Sequence, residues 1–308
     1  MIKIKNITLI VLLLIIGVNK TLSQNEPMFT QYMFNTLWVN PAYAGTREAL
    51  NINAMTRLQW VGLDGAPKTY SAAAHAPISN RKVGLGITVV NDVFGPIKNT
   101  YFTGNYAYRV SLNEELTLSM GIKGGINSYF AGFQDLRLID RDDPNFETNE
   151  KKINPNLGFG FYLYSNEFYV GLSAPRLLET SLDGSYSHND FKTRNHYYFI
   201  GGFIWELNSN WIFKPSIFTS SVANTPLSYN ITFQFLYDER IWLGGMFRPG
   251  DAAGAFFNIK VSDRLTVGYG YDYTFTDIAN TTIGTHEIMF SFDFVDFKPG
   301  KVKSPRYF

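Results

Sequence analysis

The 308-residue chain contains no cysteine. That excludes a disulfide framework and a thiol nucleophile, and it removes the commonest structural zinc ligand. Charge is also sparse: Lys, Arg, Asp and Glu make up 17% of residues, 27 basic against 26 acidic. So balanced a chain carries no electrostatic footprint for nucleic acid. The four histidines, His75, His188, His196 and His286, show no HExxH spacing and no paired-ligand interval. His188 and His196 flank Asp190, and solvated loop polarity accounts for that grouping. Asp142 and Asp143 lie in a mixed-charge, proline-bearing loop that needs no catalytic reason, so neither an enzyme activity nor a cofactor is expected. The single long apolar stretch, Ile7 to Val18, falls short of the ~20 residues a spanning helix needs.

That stretch follows Lys3 and Lys5 and leads to small residues at Thr21 and Ser23, the layout of a signal peptide over residues 1–23. Its removal takes Lys3, Lys5 and Lys20, leaving 24 basic residues against 26 acidic. Any membrane insertion of the exported chain must then use strands. Aromatics are abundant, with 26 Phe, 19 Tyr and 5 Trp beside 26 Gly, a composition rich in strand formers. From Leu265 to Phe275 every second residue is large and apolar, while Thr266, Gly268, Gly270, Asp272 and Thr274 stand between them. The same alternation returns over Tyr229 to Phe235 and Ile288 to Phe294. Such a strand has one apolar and one polar face.

Short polar turns alternate with longer connections. The short ones are Ser79–Lys82, Leu112–Glu115, Ser165–Glu167, Leu207–Asn210, Asp238–Arg240 and Ser262–Arg264. The longer ones are Val61–Pro67, Phe94–Lys98, Phe130–Asn154, Arg176–Arg194, Val222–Pro226, Arg248–Gly254 and Thr276–Gly284. An outer-membrane barrel predicts this asymmetry, with tight turns on the periplasmic side. Thirteen connections imply an all-β, transmembrane, antiparallel up-and-down barrel of about 14 strands over residues 49–308, both barrel termini periplasmic and the first and last strands pairing. A soluble β-sandwich explains neither the asymmetry nor the strand count. Tyr and Trp near strand ends, such as Trp38, Tyr70, Tyr101, Tyr129, Trp205, Tyr237 and Trp242, suit the headgroup level. The stretch His196 to Trp205 alternates poorly, which fits a filled lumen.

Residues 24–48 precede the first strand, and Gln24 to Arg47 reads QNEPMFTQYMFNTLWVNPAYAGTR. Pro27 and Pro41 argue against a continuous helix. The run from Gln31 to Asn35, followed by Asn40, Pro41, Ala42, Tyr43, Ala44 and Gly45, resembles the opening of the PorP/SprF family, outer-membrane proteins associated with the type IX secretion system and gliding motility. Thr36 stands where that family usually has proline. The resemblance continues from Arg57 to Ile78 and weakens into generic barrel after about Gly125.

What the resemblance implies is help in secreting large adhesins or anchoring them at the surface. The expected partners are a secreted adhesin with a type B C-terminal sorting domain, type IX periplasmic ring and motor components, and outer-membrane lipid, with no nucleic acid. Without the opening motif, barrel physics alone favours a porin-like channel for small solutes. Physically, the opening is an apolar cluster that should not lie free in water. It is expected to act as a plug, as a grip for a partner or as a cap on the barrel floor. Its candidate partner-binding residues are Phe29, Gln31, Tyr32, Met33, Phe34, Asn35, Trp38, Asn40, Pro41, Tyr43 and Gly45. Lumen charges are expected at Arg109, Lys123, Lys214, Lys260, Asp272, Glu287 and Asp293. Glycines on the polar face, Gly121, Gly125, Gly158, Gly160, Gly268 and Gly270, are expected to clear space for a partner's polypeptide.

Overall fold

The computed structural model describes residues 27–47, 49–78, 82–135, 148–178, 194–223 and 225–294. The signal-peptide reading of 1–23, Asp142, Asp143, His188 and Asp190 lie outside those residues. The strands run in chain order as β1 (Leu50–Leu58), β2 (Lys68–Ile78), β3 (Val83–Phe94), β4 (Ile97–Ser111), β5 (Thr117–Ala131), β6 (Glu150–Tyr164) and β7 (Phe168–Arg176). They continue as β8 (His196–Phe203), β9 (Trp205–Glu206), β10 (Trp211–Val222), β11 (Ser228–Tyr237), β12 (Ile241–Arg248), β13 (Ala252–Lys260), β14 (Leu265–Thr274) and β15 (Thr285–Phe294).

Apart from β8 and β9, successive strands pair antiparallel, and β1 pairs with β15 from Leu50↔Phe294 to Leu58↔His286. The sheet therefore closes. β8 and β9 form one stave, both pairing with β10, so the barrel has 14. The break in that stave has a local cause. Pro215 of β10 lies across from it and has no N–H to donate, and the Ile204 N–H turns to the Glu167 carbonyl at 2.6 Å.

The faces are inverted relative to a soluble protein. Ile87, Phe102, Ile122, Leu157 and Leu172 are more than half exposed on the outer wall, whereas Asn51, Thr88, Asn230, Thr232, Gln234, Asn258 and Ser291 are buried inside. Such a surface belongs in lipid, where closure satisfies the backbone that an open edge would leave unpaired.

All fourteen expected strands are present, with three differences. First, β6 begins at Glu150 inside the expected loop, because Glu150 to Asn154 pair with Ala131 to Asn127 of β5. Second, the connection after β3 shrinks to Gly95 and Pro96, with Gly95 at φ +52°, a value glycine tolerates. Third, the aromatic girdle is only partial. Tyr70, Trp205 and Tyr237 face outward, but Trp38, Tyr101, Tyr129 and Trp242 are buried. Strand parity turns Tyr101, Tyr129 and Trp242 inward, where there is something to pack against. Tyr198 and Ile200, the inward residues of the poorly alternating β8, are buried for the same reason.

Because Ile122 sits near the middle of β5 and is 62% exposed on the outer wall, Ile122→Arg is expected to cost about 2–4 kcal/mol in reversible folding into lipid vesicles. Glu115→Arg, in a tight turn, is expected to stay within about 0.5 kcal/mol in the same titration.

Candidate functional site

The lumen is filled by the chain's own N-terminal segment. Residues 29–32 and 35–46 are buried, and Met33 and Phe34 are half-buried. The segment folds as three successive turns, a 3-10 turn at Tyr32–Phe34, one α-helical turn at Thr36–Val39 and a second 3-10 turn at Pro41–Tyr43. The sequence dictates these stops. Asn40 caps the last turn by accepting the Ala42 N–H at 3.0 Å, and Pro41 occupies the first position, where no donor is needed. Gly45 at φ +74° then redirects the chain toward β1.

The segment runs the length of the interior. Its early residues seat toward the loop end of the barrel, at a charge cluster built by three adjacent staves. Arg57 of β1 directs Nη1 at Asp272 Oδ2 of β14 (2.9 Å) and Glu287 Oε1 of β15 (2.5 Å). Glu287 also accepts two consecutive main-chain N–H groups, from Thr30 at 2.7 Å and Gln31 at 3.1 Å. The Thr30 hydroxyl donates to Asp272 and accepts from Arg57 at 3.0 Å. These three charged side chains are nearly devoid of solvent, and the segment offsets part of their desolvation by bonding to each of them, twice to Glu287 and once each to Asp272 and Arg57.

Farther along, wall side chains take hold of the segment's backbone. Lys123 Nζ donates to the Trp38 carbonyl at 2.5 Å and lies 5.2 Å from the centre of its ring. The Ser173 hydroxyl donates to the Val39 carbonyl at 2.7 Å and the Ser119 hydroxyl to that of Ala42 at 2.6 Å. His75 Nδ1 accepts the Gly45 N–H at 3.0 Å, and Arg109 donates to the Gly45 carbonyl. At the turn end, Arg47 pairs with Asp293 at 2.9 Å.

Aromatic contacts fill the remaining space. Tyr32 meets Phe218 (5.0 Å between ring centres), Trp38 meets Tyr101 (5.3 Å), Tyr43 meets Tyr162 (5.7 Å) and Phe34 meets Trp242 (6.2 Å). The wall makes room by omitting side chains. A Cβ on Gly84 would overlap the Ala44 carbonyl, and one on Gly121 would overlap the Ala42 backbone. Gly160 abuts Asn40 and Gly270 abuts Gln31. Of the expected glycines, Gly121, Gly160 and Gly270 clear space for a polypeptide, here this chain's own, whereas Gly125, Gly158 and Gly268 abut Thr103, Pro175 and Asn258 of the wall.

All eleven residues singled out in the opening motif therefore come together inside the barrel. In this arrangement only Met33 and Phe34 retain appreciable solvent contact. Among the expected lumen charges, Arg109, Lys123, Lys214, Asp272 and Glu287 are buried and Lys260 and Asp293 half-buried. Arg57 is the residue the sequence reading passed over. Its signal was available, since it shares parity with Asn51, Asn53 and Met55 on the inner face of β1.

Replacing Glu287 by alanine takes one of Arg57's two carboxylate partners and strands two main-chain donors, a loss expected at about 3–5 kcal/mol. Hydrogen exchange at the Thr30 and Gln31 amides should accelerate far more than at Tyr43, Ala44 and Thr46, whose N–H groups bond within their own turns. Equal acceleration along the segment would show that the carboxylate is not a local anchor.

No curated protein matches the chain. Among solved structures, the CymD monoaromatic hydrocarbon channel superposes with a TM-score of 0.52 at 10% identity, covering 85% of this chain and 93% of that one. Omp33 of Acinetobacter baumannii gives a TM-score of 0.48 at 9% identity, covering 81% of this chain and 100% of that one. At such identities the CymD likeness shows a shared barrel fold and nothing more. The sequence itself is more specific: the family described as type IX secretion system membrane protein PorP/SprF is matched across residues 21–292, which takes in both the lumen-filling segment and all but the end of the barrel wall. The chain belongs to the PorP/SprF family of outer-membrane proteins of the type IX secretion system.

Proposed function

We propose that this barrel assists the secretion or the surface anchoring of large adhesins of the gliding-motility type, as a non-enzymatic component of the type IX system. The observation that carries the proposal is the family match together with a lumen occupied by the family's own opening motif. A porin-like channel needs a wetted path with favourable entry and exit. Here that path is taken by residues 29–46, whose contacts with the wall include aromatic packing and direct hydrogen bonds.

In this reading the end bearing the tight turns and both barrel termini faces the periplasm, the side on which ring and motor components of the secretion machine reside. The longer connections face outward, toward cargo with a type B C-terminal sorting domain. Residues Phe29 to Gly45 engage a partner only when the segment shifts from its seat, because their side chains are buried while it is in place.

The test is surface proteomics on intact cells, comparing wild type, a clean deletion and a complemented strain. Loss of one large adhesin from the deletion strain, with return on complementation and other secreted proteins unchanged, is the expected result. An unchanged surface proteome would overturn the adhesin role.

A further inference from the structure

The contacts that hold the N-terminal segment have a common character. Glu287 accepts two successive N–H groups and His75 accepts a third. Lys123, Ser173, Ser119 and Arg109 donate to four carbonyls, those of Trp38, Val39, Ala42 and Gly45. All are main-chain atoms, so these wall groups would meet the backbone of another polypeptide in the same way. Segment side chains add contacts of their own, Thr30 with Asp272 and Arg57, Tyr32 with Ser216, Asn35 with Ser71 and Arg47 with Asp293, and these set which segment fits best.

Two further features separate the segment from the wall. No residue of the segment pairs with a strand, so the ladder of fourteen staves is complete without it. The charge seat is also linked within the wall, because Arg57 pairs with both Asp272 and Glu287 and all three belong to strands. The segment is thus seated as a ligand is seated, by complementary hydrogen bonds and shape, in a path cleared by Gly84, Gly121 and Gly160.

We infer that the inner wall is a main-chain recognition site for a polypeptide, and that the N-terminal segment is its exchangeable internal ligand. A segment from a partner takes its place by presenting two consecutive free amides to Glu287 and small residues opposite Gly84 and Gly121. The inference stands on the lumen geometry and is independent of the adhesin assignment.

The test uses the full chain carrying a protease site with flexible flanks inserted after Glu48, purified and reconstituted in a planar bilayer. Intact protein should conduct poorly. Cleavage and washing should raise conductance several-fold, and a synthetic peptide of residues 27–47 should restore the closed level. The same peptide N-methylated at Thr30 and Gln31 loses the donors to Glu287, and it should need a concentration about tenfold higher or more. Equal potency of the two peptides would overturn main-chain recognition, and so would no effect of either on an opened barrel. Should the cleaved segment stay in place, incubation with fluorescent 27–47 peptide decides the matter. Incorporation that saturates at one per barrel supports exchange, and none after days overturns it.

Discussion

A bilayer core has no water to offer a peptide group, and the pairing of β1 with β15 is therefore the contact on which the rest of the structure depends. Left open, the two strands would present a row of unpaired donors and acceptors to lipid. Once they pair, every stave has two neighbours and the period of two along each strand acquires an inside and an outside. Asn51, Asn53 and Arg57 of β1 then point into the lumen with Ser291 and Glu287 of β15, while Ile52, Phe290 and Ile288 point to lipid. Closure thus creates a polar interior, and an interior lined with amides, hydroxyls and charges must be filled by groups able to bond with it.

The N-terminal segment meets that demand in two ways along its length. Near the loop end it supplies two N–H groups to Glu287 and a hydroxyl to Asp272, carboxylates whose desolvation would otherwise be expensive. Nearer the turn end it supplies carbonyls to lysine, arginine and serine donors, together with rings that pack against Tyr101 and Tyr162. Its broken run of turns is suited to this. A continuous helix would consume its own main-chain bonds and present only side chains to the wall, whereas short turns leave backbone groups available at their ends.

Much of this was legible in the sequence. The alternation from Leu265 to Phe275 locates β14 to within a residue, and the even count of strands implies closure by the two end strands. The misplaced start of β6 has a physical explanation: Lys151, Lys152 and Asn154 belong to a stretch with no apolar face to announce a strand, yet it pairs in register with Asn127 to Ala131 of β5. The inward aromatics escaped notice because an amphipathic ring at a strand end looks the same whether it meets headgroups or a plug. Arg57 was passed over although it shares parity with Asn51 and Asn53, and its role was invisible in any case, because Asp272 and Glu287 lie 215 and 230 residues away and no local pattern couples them. Periodicity assigns a residue to a face without saying what occupies the space in front of that face.

The separation between Thr30 and Glu287 is 257 residues, and it carries a consequence for the order of assembly. The carboxylate that receives the start of the segment belongs to the last strand, and its companion Asp272 to the one before. The seat does not exist until β14 and β15 have joined β1. The stretch of lumen filling that is synthesised before any strand is accordingly the part that must wait longest for its partners, held aside with its tryptophan and tyrosines exposed while the wall is built around the place it will take.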